Sequence, residues 1–261
     1  MDTDVYTIHR GTIPLLVSVP HDGTEVPEAI AARLTDSARR VPDTDWHIAR
    51  LYAFARDLGA SMIVPRYSRY VVDLNRSEDD VSLYPGQNTT GLCPIVQFNG
   101  EPVYREGQQP TPEDIAQRIE RYWRPYHQAL RDELARIRSE HGRVMLWEGH
   151  SIKGELPFLF EGRLPDLNLG TANGASCSPG LQSRLEAMLA TQDRYSYIVN
   201  GRFKGGYITR SYGDPAQGID AVQLEISQRI YMDEETFACS EAKSASTRLV
   251  IKLLLEQALL S

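Results

Sequence analysis

Short apolar runs that stop abruptly at polar or charged residues, separated by stretches of helical periodicity, constrain this chain more than any other feature. Residues 13–19 carry no polar alternation beyond Ser18, as a strand buried on both faces requires. Residues 61–65, 70–74, 144–147, 195–199, 207–210 and 219–227 also read as strands. Residues 45–58 place Ile48, Leu51, Tyr52, Ala55 and Leu58 at helical spacing, with Thr44 at the N-cap and Gly59 at the C-terminus. Residues 111–141 form a longer helix: Thr111 caps it, Pro112 takes the first turn, Pro125 is placed to kink it and Gly142 ends it. Residues 181–190 and 234–260 supply two more helices. Helices alternating with apolar strands predict an α/β fold, with a mixed, mostly parallel sheet flanked by helices. No repeat, linker or low-complexity tract interrupts the pattern, which predicts a single domain over residues 1–261.

The balance of charge narrows the function. A net charge of -7 argues against a nucleic-acid partner, whose phosphates need a basic footprint. Only Lys153, Lys204, Lys243 and Lys252 are lysines, so the 28 basic residues are mainly arginine. Arginine grips carboxylates through two parallel hydrogen bonds, which suits a small anionic substrate. Cys93, Cys177 and Cys239 are widely spaced and form no CxxC pair, as expected of reduced thiols in a cytoplasmic protein. Residues 1–10 do not read as a secretory signal, and no run is long enough for a membrane span. Residues 77–110 read as one long loop, a length usually functional or mobile, and one suited to covering a site.

Ligands of open α/β sheets bind at the carboxyl ends of strands. Three polar clusters fall there: His21 after the first apolar run, Asn75-Arg76 after residues 70–74, and His150 after residues 144–147. His21 and His150, each near a glycine and 129 residues apart, fit two ligands of a catalytic divalent metal, most simply Zn2+, which also needs a carboxylate and an open position. Each is equally readable alone as a hydrogen-bonded loop histidine. Asp45 is the preferred third ligand because it shares a helix face with Ile48 and Tyr52, although stabilisation of a helix dipole explains it as well. Asp43 and Glu148 are the alternatives, and Glu148, two residues before His150, could instead orient that histidine. In residues 219–227, period two puts Gln223, Glu225 and Ser227 on one face and Val222, Leu224 and Ile226 on the other. Burial there raises Glu225 toward the range of a general base, unless it pairs with Arg229 or Arg210. Arg76, Arg202, Arg210 and Arg229 are candidates for substrate carboxylates. Gly206 and its neighbours, in residues 205–210, permit close approach of backbone to ligand beside Arg210. His127, on the apolar face of the long helix, reads as a hydrogen-bonded core histidine.

Taken in order, Pro20-His21-Asp22-Gly23, Thr44-Asp45, Asp73-Leu74-Asn75-Arg76, Tyr126-His127, Glu148-Gly149-His150-Ser151, Asn168-Leu169-Gly170-Thr171, Lys204-Gly205-Gly206-Tyr207 and Gln223-Leu224-Glu225 resemble the N-formylglutamate amidohydrolase family, its deformylase of histidine degradation in particular. The likeness runs from about Pro14 to Tyr231. It implies hydrolysis of N-formyl-L-glutamate to formate and L-glutamate, and a distant similarity to the zinc carboxypeptidase (phosphorylase/hydrolase-like) fold. It also implies roles: His21 and His150 as metal ligands, Asn75-Arg76 as the grip on a substrate carboxylate, and Glu225 as general base. Beside these, Arg76 and Arg210 are expected to take the two substrate carboxylates, with Arg210 also a charge-stabilising group. Carboxypeptidases place a ligating Glu three residues after the first histidine. Thr24 stands there in this chain, which directs the third-ligand assignment to Asp45. Other expectations compatible with these residues are an amidohydrolase for another N-acyl amino acid or small peptide, and a non-catalytic metal- or ligand-binding protein of the same fold.

Overall fold

A computed structural model describes residues 5–82, 86 and 89–260. Its sheet has seven strands: β1 (Tyr6–His9), β2 (Leu15–Ser18), β3 (Ser61–Pro65), β4 (Val144–Ile152), β5 (Leu167–Gly170), β6 (Tyr197–Val199) and β7 (Ile219–Ser227). They lie in the order β1-β3-β2-β4-β7-β5-β6. The centre, β3-β2-β4-β7, is parallel throughout, whereas β1 and β5 join it antiparallel. The helices are α1 (Glu28–Ala31), α2 (Ile48–Leu51), α3 (Phe54–Asp57), α4 (Pro112–Arg118), α5 (Arg124–His141), α6 (Pro179–Thr191), α7 (Tyr207–Tyr212) and α8 (Glu241–Leu259). The α/β expectation, a mixed sheet with a parallel centre flanked by helices, is met.

Strand alternation sorts the core into two layers. Leu15, Val17, Met145, Trp147, Val222, Leu224 and Ile226 pack on one face with side chains of α2, α3, α6 and α8. Leu16, Leu146 and Ala221 point to the other face, against Tyr126, Leu130, Leu134 and Ile137 of α5. Further along the same strands, that second face turns polar. Glu148 and His150 follow Leu146 on β4, and Gln223 and Glu225 follow Ala221 on β7. The strands pair in register, with Glu148 opposite Gln223 and His150 opposite Glu225. The sheet thus delivers four polar side chains to one patch at its carboxyl edge.

Several elements differ from the sequence expectation. Residues 45–58 do not form one helix. His47 adopts a left-handed φ of 64° and α2 and α3 are single turns. Asp22 Oδ1, rather than Thr44, accepts from Ala49 N at the start of α2. Residues 70–74 form no strand; they run as buried turns, because their backbone partners come from loops: Val71 N donates to Ser68 O and Asp73 N to Leu92 O. Residues 207–210 belong to α7, not a strand. The β4 strand extends past Trp147 to Ile152, since β7 pairs with all nine residues. The last helix begins at Glu241, and β1 and β5 are short strands within segments that carry no strand signature.

Around α4 and α5 the local chemistry acts as expected. Thr111 and Asp114 form a reciprocal capping box, and Gly142 closes the helix with φ 74°. A π segment, Ile119–Trp123, separates α4 from α5 just before Pro125, whose missing N–H cannot continue a regular ladder. Among the described residues, no helix is long and apolar enough to cross a membrane. Cys93, Cys177 and Cys239 are free thiols.

Candidate active site

A cleft opens over the polar patch, lined among others by His21, Asp45, Arg69, Asn75, Arg76, Phe98, His150, Arg202, Gly206, Gln223 and Glu225. At its floor, His21, Asp45 and His150 each offer one ligand atom, all within 4.8 Å of one another, and all three residues are buried. Asp45 Oδ2 lies 3.7 Å from His21 Nδ1 and 3.1 Å from His150 Nδ1. Asp45 sits in the turn before α2 rather than in a helix. Its amide donates to His21 O and its Oδ2 accepts from Ser151 N, which fixes it between the ends of β2 and β4.

The outer nitrogens explain the orientation. His21 Nε2 donates to Asp73 Oδ1 at 2.7 Å, and His150 Nε2 donates to Glu148 Oε1 at 2.9 Å. Each imidazole therefore turns its Nδ1 toward the shared centre, the carboxylate–histidine arrangement of metal sites. Two imidazoles so oriented, one carboxylate and a buried setting suit a divalent cation by donor chemistry. The alternatives for the third ligand are otherwise engaged. Asp43 Oδ2 accepts from Tyr70 Oη and Phe98 N, and Glu148 Oε2 accepts from Thr209 N and Oγ1.

Burial would disfavour a charged His150, but the Glu148 and Asp45 carboxylates outweigh it and hold the imidazole well above its ordinary value. Asp73 is likewise buried, yet His21 and Arg69 keep it well below the usual carboxylate range. Glu225 behaves in the opposite way. Burial pushes it up to about 8, with His150 and Arg69 opposing and Asp45 and Glu148 adding to the rise. Arg229 takes Asp166 as its partner, at 2.8 Å.

Asn75 Oδ1 accepts from Ile208 N of α7, and its Nδ2 lies 3.2 Å from His150 Nε2. Arg76 donates from Nε to Thr90 O and from Nη1 to Asn75 O. Gly206 packs so tightly on Asn75 that a Cβ there would stand 2.3 Å from Asn75 Nδ2. Gly206→Ala is therefore expected to push Asn75 aside and lower kcat/KM roughly 10²-fold, the cost of a small misplacement in a positioned site. Steady-state kinetics check this, and an unchanged kcat/KM would remove Asn75 from the site.

Arg210 stands elsewhere than a strand reading of 207–210 places it. On α7 its Nε donates to Gly205 O, and it is not among the residues lining the cleft. Arg69 and Arg202 are. Sequence reasoning missed Arg69 and the part played by Asp73. Arg69 Nη2 donates to Asp73 Oδ2 at 2.9 Å, Nη1 lies 3.7 Å from Asp45 Oδ1, and the guanidinium sits 4.7 Å from the Phe98 ring centroid. A charged residue at the start of the apolar stretch Tyr70-Val71-Val72 was the available signal. Of the long loop, residues 83–85, 87 and 88 lie outside the described residues; Thr89, Thr90 and Phe98 contribute to the cleft wall.

The N-formylglutamate amidohydrolase family model matches residues 13–232. The chain belongs to that family. It is 52% identical over 258 residues to an N-formylglutamate deformylase of Pseudomonas putida, covering 98% of this chain and 96% of that protein. Identity is also 52%, with the same coverage, to the N-formylglutamate deformylase of Pseudomonas aeruginosa. The crystal structure of an N-formylglutamate amidohydrolase from Ralstonia eutropha JMP134 superposes with a TM-score of 0.83 at 26% identity, over 98% of this chain and 97% of that one. A gene product of Agrobacterium tumefaciens shares the fold, with a TM-score of 0.74 at 15% identity over 98% and 95% of the two chains.

Proposed function

We propose that this chain hydrolyses N-formyl-L-glutamate to formate and L-glutamate, with a divalent cation held by His21, Asp45 and His150. The observation that carries the reading is the meeting of these three side chains, from separate elements, in one cleft that Glu225 also lines. Near-full-length identity to two deformylases supports the substrate. The donor set favours Zn2+. When bound, the cation supplies Lewis acidity to the formyl carbonyl and to the attacking water.

The protein's own groups do the rest. Glu225 takes a proton from the water as its oxygen bonds to the formyl carbon, and returns that proton to the nitrogen as the C–N bond breaks. Asn75 and Arg76 hold a substrate carboxylate, and Arg202 is within reach of the same cleft for the second. Arg69 takes the charge-stabilising place expected of Arg210. It remains protonated because Asp73, Asp45 and Asp43 outweigh its burial, and its charge faces the developing oxyanion. Arg210 holds the Gly205–Gly206 turn against Asn75. We place the reaction in histidine degradation in the cytoplasm, on the family resemblance and the unpaired thiols.

The test is formate release from N-formyl-L-glutamate by purified protein, beside N-acetyl- and N-succinyl-glutamate. Formate is expected from the formyl substrate, lost in chelator and restored by Zn2+. No formate, or full turnover in chelator, overturns the reading.

A further inference from the structure

His127 and the π segment ahead of it have no part in the chemistry above, yet they touch the chain that carries Asn75 and Arg76. His127 is buried on α5, and its Nε2 donates to Leu74 O at 2.9 Å. Trp123, four residues earlier, donates from its indole Nε1 to Arg76 O at 2.9 Å. Two side chains one helical turn apart thus hold the carbonyls on either side of Asn75. The rings stack, with centroids 3.8 Å apart. With Nε2 engaged as donor, His127 Nδ1 accepts from Tyr212 Oη at 2.8 Å. Tyr212 ends α7, the helix whose Ile208 amide holds the Asn75 side chain. One helix therefore fixes the backbone around Asn75, the other fixes its amide, and the Tyr212–His127 hydrogen bond ties the two together.

We propose that Trp123 and His127 are positioning residues that set the Asn75-Arg76 grip on the substrate carboxylate, with Tyr212 locking α7 into the same frame. The proposal deepens the deformylase reading and rests on it for the identity of the ligand. The π segment has a role here. It ends at Trp123, whose indole reaches Arg76 O while stacking on His127 one turn later. Burial pushes His127 down to about 3, so the ring stays neutral and keeps one donor and one acceptor through the working pH range.

The test uses Trp123→Phe, which keeps the ring stack and removes only the N–H, with His127→Leu and His127→Gln. Glutamine retains a donor toward Leu74 O; leucine does not. Loss of one neutral hydrogen bond should raise KM for N-formyl-L-glutamate about 3- to 10-fold in Trp123→Phe, with kcat within about twofold. His127→Leu should raise KM further, and His127→Gln should restore part of the loss. Amide exchange of a peptide spanning residues 74–77 should speed up in Trp123→Phe by a similar factor. A lowered melting temperature with unchanged KM and unchanged exchange would assign both residues to packing alone and overturn the proposal. If His127→Leu does not fold, Trp123→Phe decides. If wild-type protein releases no formate, the deformylase reading fails and takes the substrate part of the proposal with it. Exchange at 74–77 then still decides whether the clamp exists.

Discussion

Replacing Glu225 by glutamine is expected to lower kcat about 10³-fold while the protein keeps its cation. The isosteric amide fills the same space beside His150 but cannot accept the proton of the attacking water, and general-base catalysis of this kind contributes about 10²- to 10⁴-fold. Metal content by mass spectrometry and formate release separate the two effects. Near-normal turnover would remove Glu225 from the mechanism. The pH dependence gives a second readout. Only the carboxylate form works, so kcat/KM should climb with pH through the pKa of Glu225 and then level off. Without a cation burial holds that group up at about 8; a bound cation favours the carboxylate and moves the limb lower. Stability should run in the opposite direction. Glu225 ordinarily titrates at 4.5 and in the folded metal-free chain at about 8. Its contribution is intact below 4.5 and is lost as pH rises through 8. Metal-free Glu225→Gln should therefore melt above metal-free wild type at pH 8, with the gap closing toward pH 4.5.

Glu225 was legible because a strand of period two with one face apolar leaves little choice of direction. The pattern Val222, Leu224, Ile226 sends Gln223 and Glu225 to the opposite face, and the sheet bears this out. His21 and His150 stood out for a related reason: polar residues closing apolar runs have no packing purpose there. Their convergence was a spatial inference, and parallel β2 and β4 supply it by ending side by side. Asp45 was singled out through a helix face that does not exist. A left-handed His47 breaks that helix, and tertiary hydrogen bonds from the Asp45 amide and to its carboxylate set its direction.

What stayed hidden depends on contacts that no local pattern encodes. Ile208 and Thr209 are β-branched and read as strand, yet their amides are claimed by Asn75 and Glu148, which requires the turn that α7 makes. Tyr70-Val71-Val72 is apolar enough for a strand, but its backbone bonds go to loops, and that irregular path is what places Arg69 and Asp73 under His21. Sequence periodicity locates side chains on regular elements; it is silent where a buried segment is irregular.

The second large effect is expected from Asp45→Asn, which preserves shape and the hydrogen bond from Ser151 N but removes the charge between the two imidazoles. Outer partners of ligating histidines typically cost about 10- to 100-fold in metal affinity. Loss of a direct anionic ligand should exceed that range, and activity at limiting metal should fall with it. Asp73→Asn, acting through His21 Nε2, should fall within the range. Asp43→Asn should leave affinity nearly unchanged, because Asp43 is held by Tyr70 and Phe98. Equal losses in all three, or a larger loss for Asp43→Asn, would return the third ligand to the alternatives. The pH course of binding adds a sign. In the metal-free chain Glu148 and Asp45 hold a proton on His150 well above its ordinary value, against the effect of burial. A cation must displace that proton, so affinity should drop about tenfold per pH unit on the acid side. Asp45→Asn removes one of the two carboxylates that retain it. The acid limb of its weakened binding should therefore shift to lower pH, and titration of metal affinity in both proteins reads that shift directly.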